Sequence, residues 1–176
     1  MSEEKAAEVD GESHPFYDSL LDGLVGTWRV SGKIAGQEIN QYCESAWVLN
    51  HQFLRVNFID SETKRLRDSG DRQERAEYEA LVFIGYDNMS ERYVVHWLDV
   101  FGGRFSETIG FGRLNNENSI KFVFEGPDGP LHNTVSRNPS NGTWSIIIEQ
   151  KDGQGRWTTF AVETLHRINS TAPITS

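Results

Sequence analysis

The sequence predicts an all-β protein: a closed, ten-stranded antiparallel up-and-down β-barrel with a short capping helix at its N-terminal end. Three observations predict it. One short apolar helical stripe ends at Gly26-Thr27-Trp28. About ten strand-like segments follow, with no further long helical pattern. The junctions between them carry Gly, Asn or Asp, which supply the positive-φ positions of tight hairpins. Regular strands with such turns read as a meander, and closing the meander removes the exposed edges of a long open sheet.

Each element follows in order. Residues 1–14 read as an acidic, solvated tail, with five acids and one lysine in the first 13. A single barrel domain covers 15–168, and 169–176 form a short tail. After Pro15, the residues Phe16, Leu20, Leu21 and Leu24 make one helical stripe. Strands are expected over 27–34, 38–49, 52–59, 77–86, 92–100, 104–113, 119–125, 131–137, 143–150 and 156–167. Residues 60–75 differ, with five acids, five bases and almost nothing apolar. They read as a solvated loop or a short salt-bridged helix, with a lid over the barrel mouth as the functional alternative.

Period-two alternation sorts the strand faces. Phe105, Ile109 and Phe111 share a face with Glu107. Ile120, Phe122 and Phe124 share another, as do Leu131 and Val135 with Asn133, and Trp144 with Ile146 and Ile148. These faces are expected to point inward, lining a mainly apolar lumen with a few polar groups, as small-molecule pockets are lined. In the fifth strand, Tyr93, Val95, Trp97 and Asp99 oppose Val94, His96 and Leu98, and the pattern does not choose between them.

Composition excludes some partners. The 176 residues carry 17 basic and 26 acidic side chains, a net charge of −9. That argues against nucleic acid or an anionic membrane, whose phosphates need clustered Lys and Arg. No secretory pattern and no apolar run near the roughly 20 residues of a membrane span is present, so a cytoplasmic protein is expected. Cys43 is the sole cysteine and reads as a buried structural thiol. No two histidines have zinc-ligand spacing, so no metal is expected. His51 and His132, beside turns or on polar faces, are expected to be exposed.

Gly26-Thr27-Trp28 together with Arg167 resembles the calycin signature of lipocalins and their relatives. The resemblance implies a structural role for Gly26, Trp28 and Arg167, with the tryptophan at the barrel floor and the arginine packed over it. Ile84-Gly85-Tyr86-Asp87-Asn88, Arg92-Tyr93 and His96-Trp97-Leu98-Asp99 resemble a bacterial family of lipocalin-like domains of unknown function, over about residues 20–167. Fatty-acid-binding proteins are more distant, because Ile34 to Glu38 leaves no room for their helical lid. Nitrobindin-like barrels, also ten-stranded, bind haem through a histidine, which here implies His166. If Arg167 packs on Trp28, however, His166 turns outward and Glu163 inward.

Three functions are compatible with these residues. The first is a non-enzymatic, cofactor-free binder of a small hydrophobic or amphipathic ligand, with a homodimer left open. Trp97, Phe122, Trp144 and Ile146 would form its apolar wall, and Glu107, Asn133 and Glu163 would orient a polar end. The second is a haem barrel with His166 or His96 as axial ligand. The third is an isomerase or lyase using Glu107 or Glu163 as acid–base, with Tyr93 nearby. Desolvation raises the pKa of a buried carboxyl, and a second one nearby raises it further. No nucleophile motif, phosphate loop or metal-ligand cluster names a reaction.

Overall fold

In a computed structural model, which describes residues 15–70, 77–102 and 108–168, the chain forms a closed barrel. The elements are α1 (Ser19–Asp22), β1 (Gly26–Ile34), β2 (Gln37–Val48), β3 (Phe53–Asp60), α2 (Ser61–Asp68), β4 (Glu79–Asp87), β5 (Arg92–Asp99), β6 (Ile109–Asn116), β7 (Ser119–Gly126), β8 (Gly129–Arg137), β9 (Trp144–Lys151) and β10 (Trp157–Arg167). Every strand pairs antiparallel with its sequence neighbours, and β1 closes on β10 from Trp28↔Arg167 to Ile34↔Ala161. The ten-stranded up-and-down barrel expected from the sequence is the observed fold. The segments expected to be tails, 1–14 and 169–176, lie outside the described residues. Among the described residues no helix is long and apolar enough to cross a membrane.

One end of the barrel is shut. The apolar stripe before Gly26 yields a single helical turn, shorter than the stripe suggests. Asp18 caps it, accepting the Leu21 amide at 2.8 Å and the Tyr93 hydroxyl. Leu20, Leu21 and Leu24 are buried against the strands. Trp28 is fully buried, and its indole donates to the Leu24 carbonyl at 2.8 Å. The Arg167 guanidinium lies 4.1 Å over the Trp28 ring and donates to the Gly23 and Val25 carbonyls, both at 2.8 Å. These carbonyls leave a one-turn helix, so no helical amide is available to them, and the arginine supplies the donors instead.

Aromatic rings thicken this floor. Trp144 donates to the Gly23 carbonyl at 3.3 Å, and Trp47 to Asp22 at 2.7 Å. Phe16 stacks on Tyr86 with ring centroids 5.3 Å apart. His51, expected to be exposed, is half-buried here. It stacks on Trp47 at 4.1 Å, and its Nδ1 meets the Phe16 carbonyl at 2.6 Å. A histidine beside a turn is drawn in because the turn tucks beneath the floor.

Alternation places the inner faces of β7 to β9 where the sequence puts them: Phe122 and Phe124, Asn133 and Val135, Trp144 and Ile146 are buried. In β10, Ala161 and Leu165 are buried, the face that Arg167 packed on Trp28 implies. The sixth strand is the reverse of its expectation. Gly110 and Gly112 face inward, Phe111 is 39% exposed, and Ile109 is half-buried. The inner space of β6 belongs to its neighbour's rings. A Cβ at Gly112 would lie 2.6 Å from Phe122 Cδ1, and one at Gly110 would lie 2.9 Å from the Phe124 ring. Phe111 turns out and carries the Arg92 guanidinium 3.6 Å above its ring. Phe105 and Glu107 lie outside the described residues.

The charged connection forms α2, capped by Asp60 through the Glu62 and Thr63 amides at 3.0 Å each. Lys64–Asp68, Arg65–Glu62 and the bidentate Arg67–Glu79 pair run along it. Lys64 also reaches over the ring of Tyr42. Tyr42 alternates with the buried Gln41 and Cys43, so α2 rests on the outer wall of β2 and β3 rather than over the mouth. The part of the lid expectation that falls on 71–75 lies outside the described residues.

Two outcomes test this packing. Arg167→Ala lowers unfolding free energy in urea by about 1–3 kcal/mol, because it strips two carbonyls of charged donors and uncovers Trp28. Arg167→Lys restores less than half, since an ammonium cannot fork to both carbonyls while stacking. Gly112→Ala costs about 1–3 kcal/mol by overpacking Phe122. Adding Phe122→Leu recovers part of that loss, a non-additivity that a double-mutant cycle measures.

Candidate ligand-binding site

The half of the barrel away from α1 is hollow. A cavity of about 640 Å³ opens at the end where β5 leads to β6 and β7 turns into β8. Its apolar wall includes Ile34, Trp97, Phe124, Leu131, Ile148 and Phe160. That volume lies within the range of small-molecule sites.

Glu163 stands inside, from β10. The stack of Arg167 on Trp28 at the strand's exposed end fixes its direction: Leu165, Glu163 and Ala161 of the same face are buried, while His166 and Val162 on the other face are exposed. In β1 the residue opposite is Gly32, where a Cβ would sit 2.0 Å from the Val162 carbonyl oxygen, so only glycine fits. Glu163 is 4% exposed, has no hydrogen-bond or ionic partner among the described residues, and its carboxyl is pushed up to about 7 by burial. Desolvation disfavours the ionised form, and no cation offsets it.

Other polar groups share the cavity. Asn133 is 3% exposed, and its Oδ1 has no hydrogen-bond partner among the described residues. The indole of Trp97 hydrogen-bonds the Tyr78 hydroxyl, and burial, with the nearby charges of Glu163 and Asp99, raises the Tyr78 pKa. Asp99 closes β5 by accepting the Phe101 amide at 3.0 Å. Asp87 likewise makes the turn after β4, accepting from the Met89 amide and the Ser90 hydroxyl.

Of the residues singled out from sequence, Trp97, Asn133 and Glu163 line the cavity. Phe122, Trp144 and Ile146 face inward but do not line it. They belong to the filled half, where Phe122 packs edge-on against Tyr93 and Ile146 is the register neighbour of Glu163 on β9. Tyr93 is also at the floor, bonded to Asp18, and is not positioned beside Glu163 as an acid–base partner. Glu107 lies outside the described residues.

The fifth strand buries Tyr93 and Val95, which sends His96 to the outer wall. His166 is likewise exposed on the outside of β10. His132 lies outside as well, stacked on Trp157 at 3.8 Å. None of His51, His96, His132 and His166 lines the cavity, so neither His166 nor His96 is placed as an axial ligand for a haem within it. Among the described residues no group of three or more His, Cys, Asp or Glu could hold a metal ion. Cys43 faces inward and is fully buried, and burial together with the charges of Glu163 and Glu44 pushes its thiol pKa up, away from the reactive thiolate.

Sequence reasoning missed Tyr78 and Ile34 as cavity residues. Tyr78 sits at the end of the charged connection, outside any clear alternation, and only the depth of the cavity brings its hydroxyl near Glu163. No protein-family model matches the chain, and no curated protein sequence is significantly similar to it.

Glu163 makes stability depend on pH in a known direction. Its folded pKa of about 7 lies above the ordinary 4.5. The folded state therefore holds the proton more tightly, and stability drains as pH rises from 4.5 to 7. Glu163→Gln removes that loss. The variant melts like wild type below pH 4.5 and is more stable by on the order of 3 kcal/mol at pH 8, as paired thermal and urea unfolding across pH measure.

Proposed function

We propose that this barrel is a non-enzymatic binding protein for a small, largely apolar ligand with a polar end. The carrying observation is that the barrel is packed solid at one end and hollow at the other. The hollow half presents the Glu163 carboxyl, without a partner among the described residues, and the buried Asn133 Oδ1 amid apolar walls. A buried acceptor without a donor costs roughly 1–3 kcal/mol, and a ligand that satisfies it recovers that cost. The shut floor, the Trp28–Arg167 stack and the all-antiparallel closure support the lipocalin-like reading of the sequence.

One observation favours a second reading, a small isomerase or lyase. A solitary buried carboxyl titrating near 7 is well matched to proton transfer at neutral pH. Glu163 would act there without Tyr93.

The binding reading is tested with the neutral fluorophore N-phenyl-1-naphthylamine. It is expected to bind saturably, one per barrel, with Kd on the order of 1–10 μM. Ile148→Trp and Leu131→Trp, which fill the cavity, weaken binding at least tenfold with thermal unfolding preserved. Non-saturable binding, or binding indifferent to both fillings, contradicts the proposal.

A further inference from the structure

Among the described residues, the charged groups that line the cavity are carboxyls, Lys151 excepted. Glu163 offers a carboxyl with no partner among the described residues, and Asn133 offers a buried Oδ1. Asp99 adds a second carboxylate on the inner face of β5, with one oxygen taken by the Phe101 amide. Glu125 and Asp128 stand at the exposed rim. Against these four carboxyl groups, Lys151 is the one cationic residue on the lining among the described residues. Its ammonium stands 5.5 Å over the outer Trp157 ring. The Tyr78 hydroxyl, engaged by the Trp97 indole, is the main donor facing the other way.

A ligand carboxylate entering this space would lose its hydration, meet like charge and, among the described residues, find no cation beside Glu163. An ammonium would find acceptors left unsatisfied by the protein. Buried charges persist where they are paired and hydrogen-bonded. Resting on the binding reading above, we propose that the cavity takes amphipathic organic cations, with the apolar body against Trp97, Phe124 and Ile148 and the protonated amine at Glu163 and Asn133, and that it rejects carboxylates.

The geometry suits such a head. Asn133 on β8 and Glu163 on β10 flank β9, where Ile148 pairs with Asn133 and Ile146 with Glu163. The two side chains arise two strands apart, roughly 10 Å of wall, and both line the cavity. A tetrahedral ammonium has three donors to distribute between them. The groups near Glu163 from other elements are Cys43 on β2 and Tyr78 before β4, and Asp99 on β5 lies near Tyr78. Cys43 and Tyr78 are held neutral by burial, so Glu163 is the group whose ionisation governs the pairing as pH falls from 8.

The experiment compares two probes of matched apolar body: dansylcadaverine, which ends in a primary amine, and a dansyl-labelled aminohexanoic acid, which ends in a carboxylate. Both are titrated by fluorescence into the full chain. At pH 8 the amine is expected to bind at least tenfold tighter than the acid, with the gap closing towards pH 5.5. Glu163→Gln abolishes the gap at pH 8, and Asn133→Leu weakens amine binding severalfold with thermal unfolding unchanged. Equal binding of the two probes, a preference for the acid, or a gap that survives Glu163→Gln overturns the ligand class. If neutral N-phenyl-1-naphthylamine still binds in that case, the binding reading survives alone. If no probe binds, both fall.

Discussion

The forked grip of Arg167 on the carbonyls of Gly23 and Val25, over the buried face of Trp28, is the contact on which the rest of this barrel depends. It joins the last strand to the first and ties both to the capping turn. It also sets the parity of β10. With Arg167 turned to the floor, Glu163 four residues earlier must point inward, and His166 must point out. A structural contact at one end thereby delivers an unpaired carboxyl to the other.

The barrel divides its interior by depth. Near the floor, Trp28, Trp144, Phe122 and Tyr93 fill the space, and glycines at 110 and 112 give up their own side chains so that the rings of β7 fit. Towards the mouth, Glu163 and Asn133 stand among Trp97, Phe124, Ile148 and Phe160, and the space between them stays open. The apolar surface buried at the filled end, at about 25 cal/mol per Å², carries the fold. The hollow end therefore tolerates groups that cost stability, such as an ionisable glutamate in a dry setting. This is the arrangement expected where function is set against packing.

The strands, their antiparallel order and the inner faces of β7 to β9 could be read from alternation and turn residues, while the face of β10 followed only from the resemblance that packs Arg167 on Trp28. The sixth strand could not. Its apolar residues and glycines alternate, and a pattern that assigns apolar residues inward must fail where a neighbour's rings take the inner space. Alternation also gives the side of a residue but not its depth along the axis. That is why Phe122, Trp144 and Ile146, correctly placed inside, sit in the filled half, while Tyr78 at the edge of a charged loop faces the cavity. His51 shows the same limit, since a turn that reads as exposed is folded beneath the floor by Trp47 and Phe16. The Trp28–Arg167 pairing is expected only through the resemblance of Gly26-Thr27-Trp28 and Arg167 to the calycin signature, and the stack is present.

The central claim is that Glu163 sits buried in the barrel with no cationic partner among the described residues. Carbon-13 NMR of the glutamate side-chain carboxyls, with Glu163 assigned by the Glu163→Gln variant, tests it most directly. The structure predicts one resonance titrating near pH 7 in the ligand-free protein, apart from the solvent-exposed glutamates. A Glu163 resonance that titrates at the ordinary 4.5 would mean a carboxyl bathed in water, and would contradict the account.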